Sequence, residues 1–288
     1  MTYLSVCAGI CAATVAWQPL GWEALAFSEI EAFPSAVLAH HHPIVPNLGD
    51  MTRCHEWLTL RPDLIVGGTP CQAFSVSGLR RGLADPRGNL TLVFLAILAS
   101  YRPRWVVWEN VPGVLSDKTG AFGALLGGMA KLGYGFAYRI LDAQHFGVPQ
   151  RRRRVFVVGY LGDWRRAASV LFEPESLSWI PAPHREDLFD LAWWQGEGRH
   201  LNCIDASYGR KWGSNQWYAR GHVIVTQDGR PRRATPREVE RCFGFRDDFT
   251  LIPGATNDKR YKALGNSMAV PVMRWIGQRI AAADLLPA

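Results

Sequence analysis

Cys71 sits in the stretch GGTPCQAFSVSG, residues 67–78, behind two glycines and a proline and just past the apolar run 64–66. A structural thiol would more naturally lie inside such a run, which reads as a short covered strand. Placed past its end, the thiol is set for nucleophilic work, because open α/β sheets gather ligands and chemistry at the carboxyl ends of their strands. Glu109, in VVWENVPG, also follows an apolar run, 105–108. Burial there would raise its carboxyl pKa and let it carry a proton near neutrality, which is an acid's task. Four consecutive arginines, 151 to 154, lead into a third apolar run, 155–160. Alternation on an extended chain sends Arg152 and Arg154 to one side. There a guanidinium clamps oxygens without giving up a proton. Arg151 and Arg153 read as a basic loop that touches phosphates.

A second set of residues suits a polar ligand. The opening LSVCAGICAATVAW is a strand, a turn of small residues and a helix start, which together cradle a ligand on backbone amides. Only Gly9 remains of the glycines of a dinucleotide fingerprint. Glu29 follows the next apolar run, where a carboxylate can accept from both ribose hydroxyls. Asp50, in NLGDM, is placed to follow a third strand end and meet an adenine amine. Taken in order, these residues point to an adenosine-containing ligand.

Elements must hold these groups. Strand-like runs at 4–6, 24–27, 64–66, 105–108, 136–141 and 155–160 alternate with helix-like segments at 12–17, 34–41, 90–100 and 122–132. This is the rhythm of a doubly wound α/β sheet. After residue 179 it fails amid Pro181, Pro183, Gly196, Gly198, Gly209 and Gly213, and regular patterning returns near Tyr261, with 270–283 as a final helix. The expected plan is a catalytic and cofactor-binding domain over 1–179, a recognition lobe over 180–260, and a segment, 261–288, that returns to the first domain.

Composition narrows the class. With 288 residues, 48% hydrophobic and 20% charged, the chain can bury a sizeable core, and no stretch has the apolar length of a membrane span. The opening residues read as a strand and not a leader, so a cytoplasmic protein with no membrane partner is expected. Six cysteines (Cys7, Cys11, Cys54, Cys71, Cys203, Cys242) form no Cys-x-x-Cys pair, so free thiols and no metal are expected. Net charge is +7, and between residues 199 and 237 there are eight Lys/Arg against two Asp/Glu, interleaved with Tyr208, Trp212, Trp217 and Tyr218. That mixture suits a phosphate backbone and base edges.

The motifs resemble, in order and over nearly the whole chain, those of the cytosine-5 DNA methyltransferases, particularly the compact phage and prophage type. They are Pro70-Cys71-Gln72, Glu109-Asn110-Val111, Gln150 to Arg154, TPREVERCFGF from Thr235, and RYKALGNSMAVPV from Arg260. The resemblance implies a Rossmann-like, S-adenosylmethionine-dependent fold with a small target-recognition lobe and double-stranded DNA in the cleft between. Cys71 would add to C6 of a cytosine swung out of the duplex, Glu109 would hold N3 and the exocyclic amine, and Arg154 would grip O2. Gln72, Ser75 and Arg152 would organise the active-site loop and the DNA backbone. The implied cofactor set is Cys7, Ala8, Gly9, Ile10, Glu29, Ile30, Asp50, Met51, Pro70, Leu90, Asn266 and Ser267. Arg87, Arg210, Lys211, Trp212, Arg232 and Arg233 are the expected DNA contacts, while Arg237 and Glu238 would support the lobe.

Cys7 stands where the family usually has an aromatic residue, and Cys11 where a glycine is common. The short lobe argues for a short target site and against extra regulatory domains; a monomer is expected, with or without a cognate restriction endonuclease. Two rivals remain: the same chemistry on transfer RNA, which one branch of the family performs, and a silent nucleic-acid-binding module. An oxidoreductase of Rossmann type explains Glu29 but leaves Cys71 without a task.

Overall fold

The computed structural model describes residues 1–57, 60–69, 90–118, 120–172, 201–209, 223–225 and 231–285. Six runs rich in β-branched and aromatic residues pair into one sheet: β1 (Thr2–Val6), β2 (Glu23–Ser28), β3 (Leu64–Gly67), β4 (Trp105–Asn110), β5 (Tyr134–Asp142) and β6 (Arg153–Leu161). Their order is β2-β1-β3-β4-β6-β5. β2, β1, β3 and β4 are parallel, and β6 runs antiparallel between β4 and β5. The order reverses between β1 and β3, so the crevice at their carboxyl ends is where a ligand is expected.

Both faces of the sheet are covered. Tyr3, Val66, Trp105 and Val107 pack in one cluster with Trp17, Met273 and Ile276; Leu4, Ile65, Val106 and Trp108 pack in another with Val93 and Phe94. The period of two along each strand makes this division. The first layer holds α1 (Ala12–Trp17), α5 (Trp164–Leu171) and α8 (Val270–Asp284); the second holds α3 (Leu90–Tyr101) and α4 (Ala121–Lys131). α2 (Ala32–His41) follows β2. The returning helix α8 is pinned where Trp17 Nε1 donates to Met273 O at 2.8 Å. No helix among the described residues is long and apolar enough to cross a membrane.

The α/β expectation holds, with differences. The third strand before Asp50 is reduced to one parallel bridge, Phe27 to Asn47. Pro46 has no N–H to donate and Gly49 turns the chain at φ 71, so a ladder cannot extend there. Three helices appear where no helix was expected: α5, α6 (Pro236–Phe243) and α7 (Asn257–Asn266). α6 and α5 are only eight residues long, yet each is amphipathic and carries a cap. Thr235 and Glu238 form a capping box, and Asp163 accepts from Arg165 N. Phe243, Phe249 and Tyr261 from this region share the cluster of α1 and α8. A two-stranded hairpin, β7 (Val223–Val225) with β8 (Pro231–Arg233), stands apart from the main sheet.

Candidate active site

The crevice at β1 and β2 is stitched by backbone and one carboxylate. Gly9 N–H donates to Glu29 Oε2 at 2.7 Å, while Glu29 Oε1 accepts from the amides of Ile30 and Glu31 at 2.8 and 2.7 Å. Gly9 has φ +57, and nothing lies within 4 Å of where its Cβ would stand, so the turn opens onto free space. Ile30 is 71% exposed beside that carboxylate. Cys7 Sγ lies 3.3 Å from Met51 Sδ, and Asp50 caps the following turn by accepting from Thr52 N at 2.8 Å. Ala8 N bonds Ser28 O at 3.0 Å. Ile10 is different: its side chain is buried in the core, leaving only its backbone to the turn.

Cys7 and Cys11 both adopt left-handed backbone, φ 49 and 56. A glycine would be at ease at such positions, which is the physical cost of a side chain there. Burial pushes the Cys7 thiol up to about 12, helped by the charges of Glu29 and Asp50, and the Cys11 thiol up to about 11. Neither is a nucleophile at neutral pH.

The second site lies at the ends of β3, β4 and β6. Glu109 Oε1 is 3.1 Å from Arg154 Nε, and both side chains are 13% exposed. Burial pushes the Glu109 carboxyl above its ordinary value, against the opposing pull of the Arg154 and Arg152 cations. Arg154 lines a cavity of about 510 Å³ with Pro112, Asp142, Arg151, Arg153, Asn202, Cys203 and Asp205. The chain leaving β3 is held against this pair. Trp108 Nε1 donates to Thr69 Oγ1 at 3.1 Å, Asn110 Nδ2 donates to Thr69 O at 2.8 Å, and a Cβ on Gly68 would stand 3.0 Å from Glu109 Oε2. A side chain at this position would crowd the carboxylate by a few tenths of an ångström.

Arg151 and Arg153 are exposed while Arg152 and Arg154 turn inward, the alternation of an extended chain. Arg152 does not reach toward a DNA backbone. Its guanidinium is buried, donating to the carbonyls of Ile204 (2.8 Å), Gly265 (3.0 Å) and Ser267 (2.7 Å), and it stacks over Phe243. It thereby pins the segment carrying Asn266, which is exposed, and Ser267, which is buried, beside β6. Leu90 opens α3, half-buried.

Arg232 and Arg233, expected as DNA contacts, are engaged within the chain. Arg232 grips Glu238 with two bonds of 2.8 and 2.7 Å, and Arg233 lies over the rings of Tyr208 and Tyr261 at 4.9 and 4.4 Å. A carboxylate and two aromatic faces already engage these cations. Arg237 pairs with Asp248, and Glu238 completes the α6 cap. Pro70, Cys71, Gln72, Ser75 and Arg87 lie outside the described residues, as do Arg210, Lys211 and Trp212.

Several positioning residues escaped the sequence reading. Asn47 accepts from Glu29 N and donates to Glu29 O, both at 3.0 Å. Asp142 accepts from Arg152 N at 2.9 Å, and buried Gln150 joins Cys242 O to Ile204 N. Asn47 and Gln150 stand inside stretches the sequence reading quoted but were given no role there, and Asp142 carried no motif.

The family described as C-5 cytosine-specific DNA methylase matches residues 1–189 and 194–282. The chain is 32% identical to the DNA N-6-adenine-methyltransferase of Escherichia phage P1 over 98% of its own length and 61% of that protein's. It is also 32% identical to the Type II methyltransferase M.SsoII of Shigella sonnei (81% of this chain, 67% of that one) and 29% identical to M.NlaX of Neisseria lactamica (89% and 88%). Among solved structures, the Entamoeba histolytica methyltransferase EhMeth superposes with a TM-score of 0.71 at 15% identity, covering 100% of this chain and 99% of that one. The S. pombe Dnmt2 methyltransferase does so with 0.70 at 18%, covering 98% and 99%. At these identities the superpositions speak for the fold.

Proposed function

The chain belongs to the C-5 cytosine-specific DNA methylases, and we propose that it transfers a methyl group from S-adenosylmethionine to C5 of a cytosine flipped out of double-stranded DNA. The observation that carries this reading is the buried Glu109–Arg154 pair, its arginine lining the cavity, with the chain at Gly68 and Thr69 held against Glu109 and its strand.

The crevice residues fit the cofactor. Glu29 offers a carboxylate for ribose hydroxyls, Ile30 an exposed apolar surface for a flat ring, and the Gly9 turn open space beside them. Asp50 with Met51, Leu90, and Asn266 with Ser267 would complete the binding set. When bound, S-adenosylmethionine supplies an electrophilic methyl group on a sulfonium.

The protein's own work is to make C5 a nucleophile. Cys71, as thiolate, adds to C6 and pushes electrons toward N3, where Glu109 delivers its proton and holds the exocyclic amine. Arg154 turns its guanidinium to O2 and keeps the ring in plane with the carboxyl. C5, now part of an enamine, takes up the methyl group. A base then removes the C5 proton, and the returning electrons expel Cys71 and release the product. A free thiol with a pKa of about 8.5 is only a few per cent thiolate at neutral pH, so coupling attack to proton delivery at N3 is how a protonated Glu109 accelerates it.

The lobe within 180–260 would read the site, with the basic stretch at Arg210 and Lys211 on phosphates. The Type II names of the Shigella and Neisseria relatives support a setting beside a restriction endonuclease, and the phage P1 relative a phage one. That P1 name also gives a second reading, methylation of an adenine amine. An exocyclic amine is nucleophilic without covalent help, so that chemistry leaves Cys71 and the Glu109 proton without a task. Incubation with radiolabelled cofactor and either duplex DNA or transfer RNA, followed by nucleoside analysis, tests all of this. We expect 5-methylcytosine in duplex DNA; N6-methyladenine alone, or label confined to transfer RNA, overturns the reading.

A further inference from the structure

Arg154 is held on more than one side. Besides its Nε contact with Glu109, its Nη1 donates to Arg153 O at 2.8 Å and to Cys203 Sγ at 3.7 Å. Arg152 Nη1 approaches the same sulfur at 3.5 Å. The thiol itself faces Ile204 O at 3.9 Å. One sulfur therefore sits between two guanidinium groups as their shared acceptor.

The two cations differ in freedom. Arg152 is locked by three backbone carbonyls and the Phe243 ring, and cannot turn. Arg154 edges the cavity, and Cys203 is part of the same wall. Burial lowers the pKa of Arg152, the repulsion of Arg154 lowers it further, and Cys203 opposes both. A sulfur lone pair is a weak acceptor, so its contact with Nη1 orients the guanidinium without competing against an incoming carbonyl oxygen. An oxygen at this place would hold Arg154 back; an apolar side chain would leave it pushed by Arg152 with nothing to steer it.

We propose that Cys203 is a positioning residue: its sulfur, anchored through Arg152, aims Arg154 into the cavity and keeps it beside Glu109 until the O2 of the base replaces the sulfur. The inference rests on the reading of Arg154 as the group that grips O2. It also assigns a role to a thiol whose position no motif marked.

The test compares full-length wild type with Cys203→Ala, Cys203→Val and Cys203→Ser, measuring kcat, KM for DNA and the pH profile, with thermal melting of each. Val fills the thiol's volume without an acceptor, so it carries the test where Ala leaves a cavity. Ala and Val are expected to lower kcat about 10- to 100-fold, the usual cost of a misplaced group. As Arg154 leaves Glu109, the carboxyl loses a cation that lowers its pKa, and the high-pH limb moves up by about 1 unit. Ser keeps an acceptor, and a stronger one, so it is expected to hold the limb near its wild-type place while recovering little of kcat. A purely structural role would move the melting point and leave the limb in place. An active wild type whose Ala and Val forms keep its kcat and its limb overturns the positioning role alone. A wild type that methylates no cytosine overturns the proposed function itself.

Discussion

Glu109 decides the pH behaviour of the proposed reaction. Its carboxyl is raised by burial, the Arg154 and Arg152 cations pulling the other way. The working form is protonated, so activity is present below the folded pKa and is lost as pH rises through it; the raised value extends activity toward neutrality. Glu109→Gln is expected to slow transfer about 10²- to 10⁴-fold and to remove the high-pH limb, which steady-state rates across pH will show. That Glu109 and Arg154 would come together was legible because each stands beside an apolar run that became a strand. Arg152, Arg232 and Arg233 were misread because a basic residue in sequence looks the same whether it faces phosphate or a buried carbonyl. What separates them is the partner, Ser267 O for one and Glu238 for another, and partners distant in sequence leave no local mark.

At the scale of elements, the end of β3 is threaded through a gap sized for glycine. A Cβ at Gly68 would meet Glu109 Oε2 at 3.0 Å and Glu109 O at 3.1 Å, and a backbone oxygen cannot swing aside. Gly68→Ala is expected to cut kcat about tenfold or more while DNA binding, measured by anisotropy, stays near wild type. The junction of α6 and α7 rests on a fully buried Glu240, which accepts from Arg260 Nη2 at 2.9 Å and from Thr250 N at 2.8 Å. Glu240→Ala removes the nearer carboxylate from the buried Arg260, leaving Asp248 at 3.5 Å, and is expected to lower stability by up to about 3 kcal/mol in urea unfolding. The six strands were readable as apolar runs with period two, and α1 as a helix. α6 and α7 were not, since their anchors are an ion pair and ring contacts across the fold. Their caps, Thr235 and Thr256, were the local signal available.

The whole molecule carries a net charge of +7 on a fold that covers both faces of its sheet. Binding to duplex DNA should therefore weaken steeply as salt rises, with each lost phosphate contact lowering the slope by about 1. Arg210→Ala and Lys211→Ala are expected to do this with kcat little changed, whereas Arg233→Ala, which removes a cation from two tyrosine faces, should lower the melting temperature instead. The chain spans 61% of the phage P1 relative's length, and its fold alone superposes on methyltransferases at under 20% identity, so the chemistry must be tested on this protein. The most direct measurement is intact-protein mass spectrometry after incubation with S-adenosylmethionine and duplex DNA carrying 5-fluorocytosine, whose fluorine cannot leave as a proton does. A covalent protein–DNA species mapped to Cys71, and absent from Cys71→Ser, is the predicted result. Wild-type enzyme that methylates ordinary cytosine but forms no such species would contradict the account.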